Sequence, residues 1–266
     1  MMAQVKTLLA MLVFLASSGY AKSAFEDGLE PFDGTALDST TWDAPKTILG
    51  TTVTQEDSLR VNVSDLDVRR QEARYNTSQA IARVGDTVSV EMTLLGPVAV
   101  SQAVSTYAGL ALTTKNNAVP GTGPSQLSDT LVLFNAVQRS RGEPQAPNAL
   151  IYGTEILSGT SAGGRVIAED QPFLGTSYEL FITRLSPSLT RFRARPLGGA
   201  FFSTMADESH LTFEGPLFIS LYATGVAAQF DNVRIVPEPS GAVMLLVVTA
   251  WSALRKRKRR SSGSDA

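Results

Sequence analysis

The sequence predicts an all-β fold, a two-sheet antiparallel sandwich, and three observations lead there. Between residues 25 and 236 the apolar residues alternate with polar ones at a period of two rather than 3.6. The alternating runs are short, rich in β-branched and aromatic side chains, and bounded by Gly, Pro, Asn and Asp clusters. No window presents a long amphipathic helix. Many short strands in a chain of 266 residues pack as two sheets, because each sheet must bury one apolar face against another.

The strands follow in order. Leu59–Val63 comes first. Next, Val88, Val90, Met92 and Leu94 alternate with Thr87, Ser89, Glu91 and Thr93. Tyr107–Thr113, Thr130–Ala136 and Leu150–Ile156 follow, then Ser177–Leu185 and Thr190–Arg195, and finally Leu217–Tyr222 and Gln229–Val236. The connections at 116–128 and 139–148 are long, polar and rich in Pro and Gly. Neither marks a domain boundary, and no internal repeat occurs.

Both ends of the chain read as processing segments. Lys6, an apolar run from Thr7 to Ala16, and Gly19-Tyr20-Ala21 form a secretory signal peptide over 1–21, cleaved after Ala21. The alternative of an N-terminal anchor needs a longer apolar run. At the other end, Val236 leads into Pro237-Glu238-Pro239, an apolar segment from Gly241 to Leu254, and a basic block at Arg255, Lys256, Arg257, Lys258, Arg259 and Arg260. A basic block beside an apolar segment stays on the cytoplasmic side, which leaves the ectodomain outside the membrane. The apolar run is fourteen residues; extension back to Pro237 and snorkelling of Arg255 bring it to a workable transmembrane helix.

The three ordered features resemble the PEP-CTERM sorting signal, here over 237–260. That resemblance implies handling by the secretion machinery and then by an exosortase-type peptidase. It further implies a membrane-tethered precursor that ends at the cell surface or in the extracellular matrix. The tail Ser261 to Ala266 departs from the usual early stop.

Composition removes several function classes. There is no cysteine and one histidine, His210, which excludes disulfides, thiolate zinc sites, a cysteine nucleophile and multi-histidine metal centres. Residues 22–254 carry 16 Lys/Arg against 24 Asp/Glu, a net of −8. An acidic ectodomain lacks the positive surface that nucleic acid requires, so no nucleic-acid partner is expected.

Phe32-Asp33-Gly34-Thr35-Ala36-Leu37-Asp38 with Trp42 resembles the opening of concanavalin A-like and laminin-G-like sandwich domains. Gly215 to Tyr222 and Ala228 to Ile235 are similar to the last two strands of the same group. The resemblance implies a jelly-roll ectodomain over 25–236.

Four constellations bear on chemistry. Glycoside hydrolysis needs two carboxylates flanking the scissile bond. The paired acids of the retaining glucanases of this fold are missing here, because Glu91 stands alone on its strand and Glu155 and Glu179 are isolated on others. Gly159-Thr160-Ser161-Ala162-Gly163 matches the nucleophile-elbow pattern, with Asp170 or Asp207 and then His210 following in order. The motif lies between β-like runs and reads as a turn, with His210 an exposed loop residue. Glu26, Asp27 and Asp231 sit on segments that can run side by side and hold a structural Ca2+; turn chemistry and solvation explain the same acids equally well, and no metal ligands are assigned. Arg191, Arg193 and Arg195 place three guanidinium groups on one strand face, with Arg184 on the partner strand across Ser186-Pro187-Ser188-Leu189. Such a stripe can grip an acidic polysaccharide; as a solvated outer face it needs no ligand.

The reading is therefore a non-catalytic surface or matrix protein that binds extracellular polysaccharide or serves as a structural component. The alternative is a secreted polysaccharide-active hydrolase on the same sandwich.

Overall fold

A computed structural model describes residues 29–30, 32–36, 38–48, 51–62, 72–98, 106–114, 130–138, 149–154, 165–169 and 174–237. The signal peptide, Glu238, Pro239, the apolar segment and the basic cluster Arg255–Arg260 lie outside these residues. Pro237 is inside, as the last residue of the final strand.

Every regular element among the described residues is a strand. In chain order they are β1 (Leu29–Glu30), β2 (Lys46–Ile48), β3 (Thr52–Gln55), β4 (Leu59–Asn62), β5 (Glu72–Asn76), β6 (Asp86–Val98), β7 (Thr106–Thr113) and β8 (Thr130–Gln138). Then come β9 (Ala149–Thr154), β10 (Arg165–Glu169), β11 (Ser177–Ser186), β12 (Leu189–Pro196), β13 (Ala206–Ser209), β14 (Phe218–Thr224) and β15 (Val226–Pro237). All nine runs expected from the alternation are strands; β1, β2, β3, β5, β10 and β13 are additional.

The strands form two antiparallel sheets. One has eight strands in the order β13-β12-β11-β6-β15-β4-β3, with β1 pairing β15 beyond the end of β4. The other has seven, in the order β10-β9-β8-β7-β14-β5-β2. The inward parity of each strand supplies the core. Val88, Val90, Met92 and Leu94 of β6, Leu180 and Ile182 of β11, and Ala228 and Phe230 of β15 face Leu110, Leu112, Phe134, Ile219 and Leu221 of the opposite sheet. Burial of each large side chain contributes about 1.5–3 kcal/mol.

Aromatic side chains lock the two layers. Phe134 of β8 meets Phe192 of β12 edge-on at 5.9 Å, and Tyr152 of β9 stacks on the same ring at 4.8 Å. The opening motif is a second lock. Trp42 stacks on Tyr75 at 4.7 Å, Phe32 leans on both, and all three are buried. The Phe32…Trp42 spacing thus serves the core.

A bulge sets the phase of β15. Its pairing with β6 shifts between Asp231 and Arg234, and Asn232 takes φ 49°, a left-handed conformation that Asn tolerates. The extra residue sends Val233 and Ile235 inward, like Phe230, and Arg234 outward, like Asp231.

Candidate functional site

The outward parity of the eight-stranded sheet forms a face with three cross-strand rows. Asp231, Glu91, Glu179 and Arg195 lie opposite one another across β15, β6, β11 and β12. Beside this row runs Arg234, Ser89, Phe181 and Arg193, and beyond it Val236, Thr87, Thr183, Arg191 and Asp207, which reaches β13. Adjacent rows are two residues apart along β6, β11 and β12, about 6.7 Å, and the bulge sets Asp231 and Arg234 three residues apart on β15.

The three arginines of β12 do share this face, as the alternation requires, but their surroundings differ. Arg191 donates from Nε and an Nη to the two oxygens of Asp207, at 2.7 and 2.8 Å. That pairing holds the Asp207 carboxyl below its usual range. Arg195 donates to Glu179, a contact that raises the guanidinium further. Arg193 has no carboxylate partner among the described residues. Its guanidinium instead lies over the Phe201 ring, 3.7 Å from the centroid. Phe201 in turn meets Phe181 at 5.2 Å, and Arg195 flanks both rings.

Phe201 reaches this position because the chain after β12 doubles back. Gly198 takes φ 72° and Gly199 closes the turn onto Pro196, after which the Phe202 N–H donates to the Ala194 carbonyl. Consecutive phenylalanines then diverge: Phe202 packs inward near Tyr178, and Phe201 is 37% exposed on the outer face.

The acidic row is uneven. Glu179 is neutralised by Arg195, whereas Asp231 is half-buried and pushed up to about 6. Burial is the largest cause, an N–H donated by Asn232 works against it, and the nearby charges of Glu91 and Asp33 add to it. Register therefore assembles acids that stand isolated along the chain.

Two expected positions are corrected. Arg184 does not join the stripe, because the β11–β12 register puts Thr183 opposite Arg191 and turns Arg184 inward. It is fully buried and donates to the carbonyls of Ala82, Gly215 and Phe213 at 2.7–2.9 Å. His210 is buried, not exposed. Its Nε2 pairs with the Thr190 hydroxyl and its Nδ1 with the Leu211 carbonyl, both at 2.8 Å. Asp207, a candidate partner for His210 in the nucleophile-elbow order, is instead held by Arg191. Ser161, its glycine-flanked motif, Asp170 and Glu155 lie outside the described residues. So do Glu26 and Asp27. Among the described residues no three His, Cys, Asp or Glu side chains gather where they can hold a metal ion, so no calcium ligands are assigned there.

The outer face of the seven-stranded sheet has a different character. Ala111, Leu133 and Tyr222 form a small buried cluster on the side away from the main core, and Ser220 and Asn76, in the same cross-strand row as Ala111 and Leu133, are buried too.

Phe181, Phe201 and Arg234 escaped the sequence reading. A signal was present for one of them: Phe181 occupies the polar parity of its strand, between Glu179 and Thr183, where an aromatic ring has no core to enter.

No family model matches the chain, and no curated protein sequence matches it. Solved structures do. The exoplasmic/lumenal domain of VIP36 in its Ca2+-bound form superposes with a TM-score of 0.53 at 13% identity, covering 80% of this chain and 93% of that one. Its Ca2+/Man2-bound form gives 0.52 at 12%, covering 80% and 90%. A seed lectin of Lotus tetragonolobus gives 0.53 at 10%, covering 75% and 94%. The fold is a legume lectin-like, concanavalin A-like β-sandwich.

Proposed function

We propose that this chain is an exported surface or matrix protein whose sandwich binds glycan without turning it over. The observation that carries the reading is the pair Phe181 and Phe201 on the outer face of the eight-stranded sheet. Aromatic rings flanked by a guanidinium donor and a carboxylate acceptor, Arg193 and Glu91, offer what a sugar needs: a flat surface for its C–H face and polar groups for its hydroxyls. The lectin fold supports the same reading, and the VIP36 structures include forms bound to mannose oligosaccharides. Export rests on the signal peptide over 1–21, and surface sorting on Pro237-Glu238-Pro239 with its apolar and basic partners.

One observation favours the hydrolase alternative. Glu91 and Asp231 face each other across β6 and β15, where opposed Cβ atoms stand about 5 Å apart, and a carboxyl held near 6 resembles a general acid. A single experiment separates the two. The full chain is screened on a glycan array, and each bound glycan is assayed for new reducing ends. Saturable binding abolished by Phe201→Ala, with no reducing ends, is expected. Reducing ends lost in Asp231→Asn mean hydrolysis, and binding indifferent to Phe201 removes the platform.

A further inference from the structure

We infer that the Arg193–Phe201 seat takes a carboxylate of an acidic polysaccharide, a hexuronate polymer laid across the outer face of the eight-stranded sheet. This rests on the glycan-binding reading and names the ligand's chemical class.

Strand β12 contains its own comparison. Three arginines stand two residues apart on one face; Asp207 fills the first, Glu179 fills the third, and the middle one is filled by no carboxylate among the described residues. With its carbon over the Phe201 ring and no carboxylate partner among the described residues, the Arg193 guanidinium has no acid on its N–H donors, the kind that Arg191 uses to grip Asp207. A carboxylate from outside would complete the series. The two flanking pairs are internally neutral, so Arg193 is the net positive centre of that edge of the face. The unneutralised acids lie elsewhere, Glu91 and Asp231 toward β6 and β15.

The row containing Arg193 ends in a second cation. Arg234 sits opposite Ser89, which sits opposite Phe181, which sits opposite Arg193. Arg234 is exposed and, among the described residues, also lacks an ion-pair partner. Three strand spacings separate the two arginines, about 14 Å. A single uronate reaches one of them, and a chain of several reaches both, with Ser89 and Phe181 between.

The test is isothermal titration of the full chain with galacturonate hexamers in low salt and excess chelator. The comparison ligand is the same hexamer with its carboxyls methyl-esterified. Arg193→Ala is expected to weaken hexamer binding about tenfold to a hundredfold. Arg193→Lys retains the charge but not the fork and falls between. Esterification matches the loss in Arg193→Ala. The control Val166→Ala, an exposed position on β10 of the other sheet, leaves affinity unchanged, and thermal melting shows that the variants are folded. If esters bind as tightly as acids, or Arg193→Ala is silent, the acidic-ligand inference is overturned. Loss of both ligands in Phe201→Ala would then still uphold a glycan platform for uncharged sugars. If neither hexamer binds while a neutral glycan does so through Phe201, the inference again fails and the broader reading stands. If no glycan binds, both fall.

Discussion

The two sheets turn opposite surfaces away from their shared core. On the seven-stranded sheet, Tyr222 is buried to 1% exposure in a cluster with Ala111 and Leu133, and Ser220 is buried beside it. On the eight-stranded sheet the same outward parity carries Arg191, Arg193, Arg195 and Phe181, and the turn after β12 adds Phe201, which is more than a third exposed. One outer face buries a large ring; the other leaves one more than a third exposed. An outward side chain in a sandwich is therefore assigned by what shields it, because pleat alternation treats both faces alike.

The sharpest way to break this contrast is Tyr222→Ala. If the face is packed like a core, the truncation costs about 3–5 kcal/mol, read as a shift in the urea unfolding midpoint at unchanged slope. A loss below about 1 kcal/mol would mean that this face is as open as the other.

Next in size is Arg184→Met, which contrasts an inward arginine with the outward stripe on the adjoining strand. The substitution approximates the stem but leaves the carbonyls of Ala82, Gly215 and Phe213 without their donor. About 2–4 kcal/mol of destabilisation is expected by the same urea titration. A neutral result would show that other donors, or water, replace the guanidinium.

The smallest effect depends on pH. Asp231 is pushed up to about 6, with Glu91 of β6 and Asp33 of the loop after β1 adding to the burial. Above its unfolded value near 3.9 the folded chain holds this proton more tightly than the unfolded chain does. Its contribution is thus fully present below about pH 4 and is lost as pH rises through 6. Asp231→Asn preserves the acceptor for the Asn232 N–H and removes the charge. It is expected to raise stability by about 1–2 kcal/mol at pH 8, allowing for solvent screening, and to change nothing near pH 4. A variant equally stabilised at both pH values would assign the effect to packing.

Much of the fold was legible because the central strands alternate strongly. Thr87 to Leu94 of β6 fixed both a strand and its buried face without any neighbour. The strands that escaped lacked that signal. Ala206-Asp207-Glu208-Ser209 is an edge strand of mostly polar residues, held by backbone pairing to β12, and Glu72–Asn76 has one large apolar ring, Tyr75, whose partner Trp42 is distant in sequence. The site was legible only in part. Alternation put Arg191, Arg193 and Arg195 on one face, but their partners Asp207, Glu179 and Phe201 are supplied by β13, β11 and a turn distant in sequence. Glu91 looked solitary for the same reason: Glu179 and Asp231 reach it through cross-strand register, a long-range property. Arg184 and His210 were misplaced because residue type argued for solvent, while backbone carbonyls accept from the two Nη groups of Arg184 and a buried Thr190 pairs with His210 inside.

The position of β15 has a mechanical consequence. It lies inside its sheet, with β6 along one side and β4 and β1 along the other, and its last residue, Pro237, pairs with Asp86 at the start of β6. A pull applied at Pro237 enters the sheet through the β6–β15 ladder on one side and the β4 and β1 ladders on the other. Force along the strand axis loads the rungs of those ladders together, in shear, whereas force on an edge strand would peel them one at a time.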